Sequence, residues 1–343
     1  MLLCCFNANN LYVRYKFGEA YPGDMSGKSA AGTHRDWGFL PHYQKGSFQI
    51  FNEGQRKLAA QAITRDFTVF PDVVCLQEVE SLLALRTFNE EFFGENPWPY
   101  AVLIDSRDFR QIDVAVLSRY PVLSVRTHVD DKTDDGSGYV FSRDCLEVTV
   151  QPPKGKPVTL FVNHLKSQLA QGKTAAEKAA DAQRSTEKRA LQAKSIVEIL
   201  RARFPGANYN GGLFAVLGDF NATPDAPELA ALTQKAGLTS ALDKLPSGVR
   251  WTHYWKAKNS AAQLDHVLLS PALAQKMQGA PLIERRGLGY RETGADGGLL
   301  PKALNVETPE GGAKADFRFE RFAAVAPDNA ASDHCPIFVE FKL

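Results

Sequence analysis

Residues 214–221 read FAVLGDFN, an apolar run that ends at Gly218 and gives way at once to Asp219 and Asn221. A short run with no polar residue inside it, closed by glycine, is the pattern of a strand buried on both faces. The arrangement recurs along the chain. Asn7 and Asn9 follow MLLCCF, Glu78 follows VVCLQ, and Asn163 and His164 follow VTLFV. Asp265 and His266 follow Leu264, while Asp333 and His334 precede PIFVEF. An α/β sheet presents its ligand site at such strand ends. One polar strand end is an ordinary hydrogen-bonding residue, but six, all drawn from Asn, Asp, Glu and His, point to a shared site.

Helical patterns lie between the strands. Leu58, Ala62, Ile63 and Phe67 share one helical face before Pro71, and Leu82, Leu85, Phe88 and Phe92 share another. A longer pattern covers Thr174 to Phe204, with Leu191, Ile196, Val197 and Leu200 as its apolar stripe, and a further helix is expected near Pro227 to Ala236. YAVLI, DVAVLS, CLEVTV and LDHVLLS supply further strands. This mixture predicts α/β layers around a core. Gly18 to Gly46 and Arg286 to Asp316 read as long loops, the second alternatively as a loose hairpin. Gly172 to Lys194 reads as a solvated helix or a flexible insertion.

The chain has 343 residues, 44% hydrophobic and 23% charged, enough for one large unit or two average domains with a substantial core. Its formal net charge of +1 excludes a strongly basic coat for blanket nucleic-acid binding but leaves room for a local basic groove. No apolar stretch approaches the roughly 18 residues of a membrane span. The opening residues lack a basic stretch followed by a long apolar core, so a cytoplasmic protein is expected unless a leader once preceded them. The five cysteines show no metal-binding spacing and are expected to be buried thiols.

Carboxylates with a neutral oxygen partner suit Mg²⁺, which keeps several waters and takes substrate phosphate into its shell. Glu78 and Asp333 are the natural carboxylates and Asn9 the neutral partner. Asp265 and His334 suggest a base held in one tautomer and able to deprotonate water. Asp219 and Asn221 would orient that water and contact phosphate, with Lys166 a further phosphate contact. Together these parts describe metal-assisted in-line attack on a phosphate ester.

The motifs CFNANNLY, VVCLQEVE, IDVAVLSRYPV, FSRDCLEV, VNHLKSQ, VLGDFNATPDAP, LDHVLLS and SDHCPI, in this order from residue 5 to residue 337, resemble the endonuclease/exonuclease/phosphatase superfamily with its deoxyribonuclease I-like fold. The resemblance implies a four-layer α/β sandwich, two packed mixed β-sheets flanked by helices, as a single domain over 1–343. It implies Glu78 as principal Mg²⁺ ligand (with Mn²⁺ as a substitute), Asp333 near the metal directly or through water, and Asn7 near phosphate and metal. His334 paired with Asp265 would be the general base, and Asp219 with Asn221 the water- and phosphate-orienting pair. His164 would stabilise charge on phosphate or leaving group, and Arg143 would contact substrate phosphate. Asn9 stands where the abasic-site repair branch has an aspartate, and His164 where that branch has a tyrosine.

The expected function is therefore a Mg²⁺-dependent phosphodiesterase, a nuclease on DNA or RNA, working as a monomer. The alternatives are hydrolysis of small-molecule or lipid-headgroup phosphate esters, and an inactive scaffold of the same fold. Asp113 is read either as an orienter of His164 or as a turn aspartate. His266 is read as structural, and His34, His42 and His253 as surface histidines. Trp251, Tyr254 and Trp255 are read as packing residues rather than base-stacking ones. Arg184, Lys188 and Arg189 are read as a solvated helix face.

Overall fold

The computed structural model describes residues 1–12, 15–16, 49–50, 53–95, 97–290, 303–308, 312–317 and 319–343. The expected loop 18–46, with His34 and His42, lies outside the described residues, as does the part of the second loop over 291–302.

Two large sheets are built from β1 (Leu2–Leu11), β2 (Val73–Val79), β3 (Tyr100–Leu103), β4 (Asp113–Ser118), β5 (Val122–Arg126), β6 (Cys145–Val150), β7 (Val158–His164), β8 (Phe214–Asp219), β9 (Thr239–Ser240), β10 (Asp265–Leu269), β11 (Met277–Ile283) and β12 (Ile337–Phe341). Their orders are β11-β12-β1-β2-β4-β3 and β9-β10-β8-β7-β6-β5. Each sheet has one parallel pair near its middle, β1 with β2 and β7 with β8, and its other pairs are antiparallel.

Period-two alternation sends successive side chains to opposite faces. Leu3, Cys5, Val73, Cys75, Val114 and Val116 of the first sheet meet Leu146, Val148, Leu160, Val162, Leu217 and Val267 of the second in one core. The alternate residues face outward under helices. Cys4, Phe6, Val74 and Leu76 pack with α1 (Glu53–Ile63) and α2 (Leu82–Phe93) through Leu58, Ile63, Leu85 and Phe88. Phe161, Phe214 and Val216 pack with α3 (Ala175–Arg203) through Ile196 and Leu200. Burial on both faces explains why these strands read as unbroken apolar runs. The result is the four-layer α/β/β/α sandwich implied by the motifs. Each fully buried Phe or Leu in it contributes roughly 1.5–3 kcal/mol. The cysteines are buried and free. No helix among the described residues is long and apolar enough to cross a membrane.

The Gly172 to Lys194 segment is helical, because a capping box starts α3: Thr174 accepts from the Glu177 backbone N–H and Glu177 accepts in return. Arg189 corrects the reading of a solvated face. It is buried and its guanidinium donates to Glu228 at 2.8 Å, which neutralises its charge under the helix. Arg184 on the same helix is exposed and pairs with Asp181. The helix expected near Pro227 to Ala236 is shorter, a 3₁₀ turn Pro227–Leu229 followed by Ala230–Thr233, closed where the Gln234 and Lys235 N–H groups both return to the Ala230 carbonyl. Within the second long loop, Ala303–Val306 and Ala313–Asp316 pair antiparallel, the loose hairpin of the alternative reading.

Candidate active site

The inward-facing alternation continues past the apolar core and supplies the polar cluster. His164 extends the series Leu160, Val162, and Asp219 extends Ala215, Leu217. Asp265 precedes Val267 and Leu269. Register sets Asp219 opposite both His164 on β7 and Asp265 on β10. Three ionisable side chains therefore sit side by side at one end of the sandwich. Gly218 makes this close pairing possible: its φ is +133°, and a Cβ there would lie 1.9 Å from the Asn163 carbonyl oxygen.

The first sheet delivers Asn7 by the same alternation and its other site residues differently. Asn7 follows Leu3 and Cys5, and its Nδ2 donates to Asp219 Oδ2 at 3.0 Å, joining the two sheets. Glu78 has the parity of Val74 and Leu76 and by alternation would face the helices. A register irregularity between Gln77 and Val79, with φ +62° at Glu78, turns the strand. Its carboxylate then reaches 3.8 Å from His164 Nε2. Asn9 and Asn10, at φ +47° and +69°, form the matching irregularity in β1, and the Asn9 N–H donates to Asn7 Oδ1.

His334 Nδ1 lies 2.8 Å from Asp265 Oδ2. Asp265 is held in turn by its backbone N–H donating to Thr252 Oγ1. Ser332 Oγ accepts from the His334 N–H and donates to the Asn7 carbonyl, so the base is tied to β1 as well. His334 Nε2 faces Asp219 Oδ2 at 3.7 Å, and His164 Nε2 faces the same oxygen at 3.4 Å. Asn221 closes the ring. Its N–H donates to Asp219 Oδ1, and its Nδ2 donates to the Leu165 carbonyl.

Burial disfavours charge on His334, but the carboxylates of Asp265 and Asp219 outweigh it and hold the pKa well above the ordinary histidine value. His164 shifts the other way: burial, then the positive fields of Arg143 and His334, push its pKa well below that value, leaving a neutral imidazole. Burial raises Glu78, and the negative charges of Asp333 and Asp219 raise it further. Asp219 is raised by burial and only partly relieved by His334.

Glu78 feels the negative charges of Asp333 and Asp219, and Asn9 and Asp333 line one small cavity, so these oxygens are of the kind that a hard divalent cation takes. Among the described residues, two groups have their ligating atoms within 4.8 Å of one another, His253–Asp333–His334 and Asp219–Asp265–His334, and neither includes Glu78. In the second, His334 is already committed to Asp265.

Arg143 is buried, with Nε on Asp108 at 2.8 Å and Nη1 on the Leu165 carbonyl at 2.9 Å, and its charge reaches both Glu78 and His164. Lys166 is half-buried beside it, and Arg143 helps to lower its pKa after burial. Asp113 is the turn aspartate, accepting from the Ser106 N–H. His164 Nδ1 has no hydrogen-bond partner among the described residues, so Asp113 does not orient it. His266 is structural: it stacks on Phe220 and bonds the Ala222 carbonyl. His253 overturns its surface reading. Its Nε2 lies 3.6 Å from Asp333 Oδ2, its ring centroid lies 4.7 Å from that of His334, and their backbones form a β-bridge. Thr252 and Ser332 are site residues that sequence reading missed. Their one signal is position, beside His253 and within the SDH triplet.

The profile of the Endonuclease/Exonuclease/phosphatase family matches residues 51–334. The chain belongs to this family. Solved structures of similar fold cover 100% of the chain, at identities that show the fold alone. One is an endonuclease/exonuclease/phosphatase family protein from Bacteroides thetaiotaomicron (TM-score 0.54, 16% identity, 98% of that chain). Another is a mannosyl-6-phosphatase from the same organism (TM-score 0.52, 16% identity, 100% of that chain). A third is a 3′ phosphatase from Neisseria bound to product DNA hairpin (TM-score 0.50, 14% identity, 100% of that chain). No curated protein sequence matches the chain. Members of the endonuclease/exonuclease/phosphatase family hydrolyse phosphoester bonds.

Proposed function

We propose that the chain is a Mg²⁺-dependent phosphodiesterase that hydrolyses DNA or RNA by attack of a His334-activated water. The observation that carries this reading is the pair of contacts on His334, Nδ1 on Asp265 at 2.8 Å and Nε2 facing Asp219 at 3.7 Å. Asp265 fixes the tautomer that leaves Nε2 as base, and a water bound beside Nε2 and Asp219 would be oriented by that carboxylate. The water oxygen bonds to phosphorus, its proton passes to His334 Nε2, the bond to the leaving oxygen breaks, and that oxygen takes a proton from solvent. The Nδ2 groups of Asn7 and Asn221 position Asp219, and His164 Nε2 donates to a phosphate oxygen as charge builds there. Mg²⁺ held by Glu78, Asp333 and Asn9 would polarise the phosphate and, by its charge, lower the proton affinity of His334. Arg143 and Lys166 add positive field for the substrate phosphate.

A second reading, hydrolysis of small phosphate esters, is favoured by the net charge of +1, since nucleic-acid binding usually draws on more basic surface. Plasmid, single-stranded DNA, RNA, bis-p-nitrophenyl phosphate and p-nitrophenyl phosphate, each with Mg²⁺, Mn²⁺ or EDTA, separate the two. The nuclease reading expects Mg²⁺-dependent cleavage of a polynucleotide. Turnover confined to the small esters rejects it.

A further inference from the structure

Asn221, Asp333 and His334 open into a groove of about 1160 Å³. Its lining also includes the segment from Ser167 to Ala170 and the hairpin whose strands are His253–Trp255 and Ser260–Ala262. This volume exceeds the roughly 300–1,000 Å³ typical of small-molecule sites, which favours an extended substrate.

The hairpin splits the local aromatic cluster in two. Trp251 and Tyr254 are 2% exposed and pack on Phe317, whereas Trp255, one residue on and on the opposite strand face, is 42% exposed. The packing expectation therefore holds for the first two and fails for the third. Lys258 Nζ stands 3.9 Å from the Trp255 ring centroid, an interaction that keeps the indole at the groove without burying it. Exposed Leu169 lines the same groove, as do Lys256 and Lys258, against the acidic Glu307 and Asp333. With charges so nearly balanced there, the distinctive contact on offer is a flat aromatic face.

We propose that Trp255 stacks on an unpaired nucleobase flanking the scissile phosphate, making the preferred substrate a single-stranded segment. The proposal rests on the nuclease reading above. Bases in a duplex are already stacked on their neighbours, so an indole at the mouth of the groove selects a strand whose bases are free. Lys258, released from the ring as the base arrives, is placed to meet a backbone phosphate.

The test compares wild type, Trp255→Ala and Trp255→Phe on a single-stranded oligonucleotide, the same strand carrying abasic residues, and bis-p-nitrophenyl phosphate. Unchanged melting temperatures establish that the variants fold. Trp255→Ala is expected to lose about tenfold or more in kcat/KM on the intact strand relative to its loss on the small diester. Trp255→Phe is expected to recover most of that, and the abasic strand to be nearly insensitive to the substitution. An equal loss on intact and abasic strands, no loss, or binding to phosphatidylcholine or phosphatidylserine vesicles that Trp255→Ala abolishes would overturn the proposal, the last by assigning the hairpin to a membrane surface. If wild type turns over the small diester but cuts no strand, the nuclease reading fails and this proposal with it. If wild type cuts strands and Trp255→Ala cuts them equally well, only this proposal fails.

Discussion

Each large sheet carries one parallel pair, β1–β2 in the first and β7–β8 in the second, but the two deliver their polar residues by different means. In the second sheet plain alternation suffices within the strands: His164, Asp219 and Asp265 occupy the next inward positions after an apolar series, the concession inside the strand falls on Gly218, and the left-handed Asn221 comes only beyond the strand end. In the first sheet the strands are bent by Asn9, Asn10 and Glu78, non-glycine residues with positive φ. The second sheet thus carries proton-handling groups in rigid register, while the first turns a carboxylate out of the register that its sequence parity implies. Strain of this kind, about 1–3 kcal/mol per residue, survives only where the surroundings hold it in place.

The largest expected effect breaks the second sheet's pairing of base and carboxylate. His334→Ala should lower kcat on bis-p-nitrophenyl phosphate by roughly 10²–10⁴-fold, and Asp265→Asn should lower it in the same direction by disfavouring the productive tautomer. Near-wild-type kcat in His334→Ala rejects the base assignment.

The division of labour is sharpened by a crossed pair. Glu78→Gln should abolish most turnover together with the thermal stabilisation by Mg²⁺, about 2.7 kcal/mol at 100 times the dissociation constant. His164→Ala should lose turnover and keep that stabilisation. Loss of the Mg²⁺ effect in His164→Ala, or its retention in Glu78→Gln, would erase the distinction between the sheets.

A stability contrast follows from the backbone. Gly218→Ala forces a Cβ against the Asn163 carbonyl and should cost about 3 kcal/mol in denaturant unfolding. Glu78→Gly relieves a left-handed residue and removes a carboxylate from a crowded group. It should raise stability by about 1 kcal/mol while eliminating activity. A destabilised Glu78→Gly would show that the carboxylate holds the fold rather than the cation.

The last effect, one without bearing on activity, concerns Asp113, on β4, whose pKa burial raises from 3.8 to about 6. The folded protein binds this proton more tightly than the unfolded chain, so the group's contribution to stability falls as pH rises from about 4 to about 6. Asp113→Asn keeps the acceptor for the Ser106 N–H and should remove this fall. Its Tm advantage over wild type should grow across that window, by less than about 3 kcal/mol in stability. A constant Tm difference from pH 4 to pH 7 would refute the assignment.

Apolar runs ending in Asn, Asp or His made the layers and most of the cluster legible, because burial on both faces and period-two alternation leave a direct mark in sequence. The Asp265–His334 pairing was legible from residue type. The route by which Glu78 enters was not, since a single left-handed residue changes a side chain's direction without changing its neighbours in sequence. His253 was misread and Ser332 went unread for another reason: each gains its role from a partner far along the chain, such as Ser332 across 325 residues from Asn7. Arg189 illustrates the converse. A cation in a charged helical stretch reads as solvated until Glu228 arrives from a separate turn.

That long-range tie has a consequence for biosynthesis. β1 lies between β2 and β12, so one of its edges stays open until β12 has left the ribosome. Until then the nascent chain lacks His334, the Ser332 bond to Asn7 and the cover on one side of Cys4 and Cys5. An unfinished strand edge of this kind is a substrate for chaperones. It also means that, under the proposed activity, a translating polypeptide stays inert toward the messenger to which it is tethered until residues 332–341 have emerged.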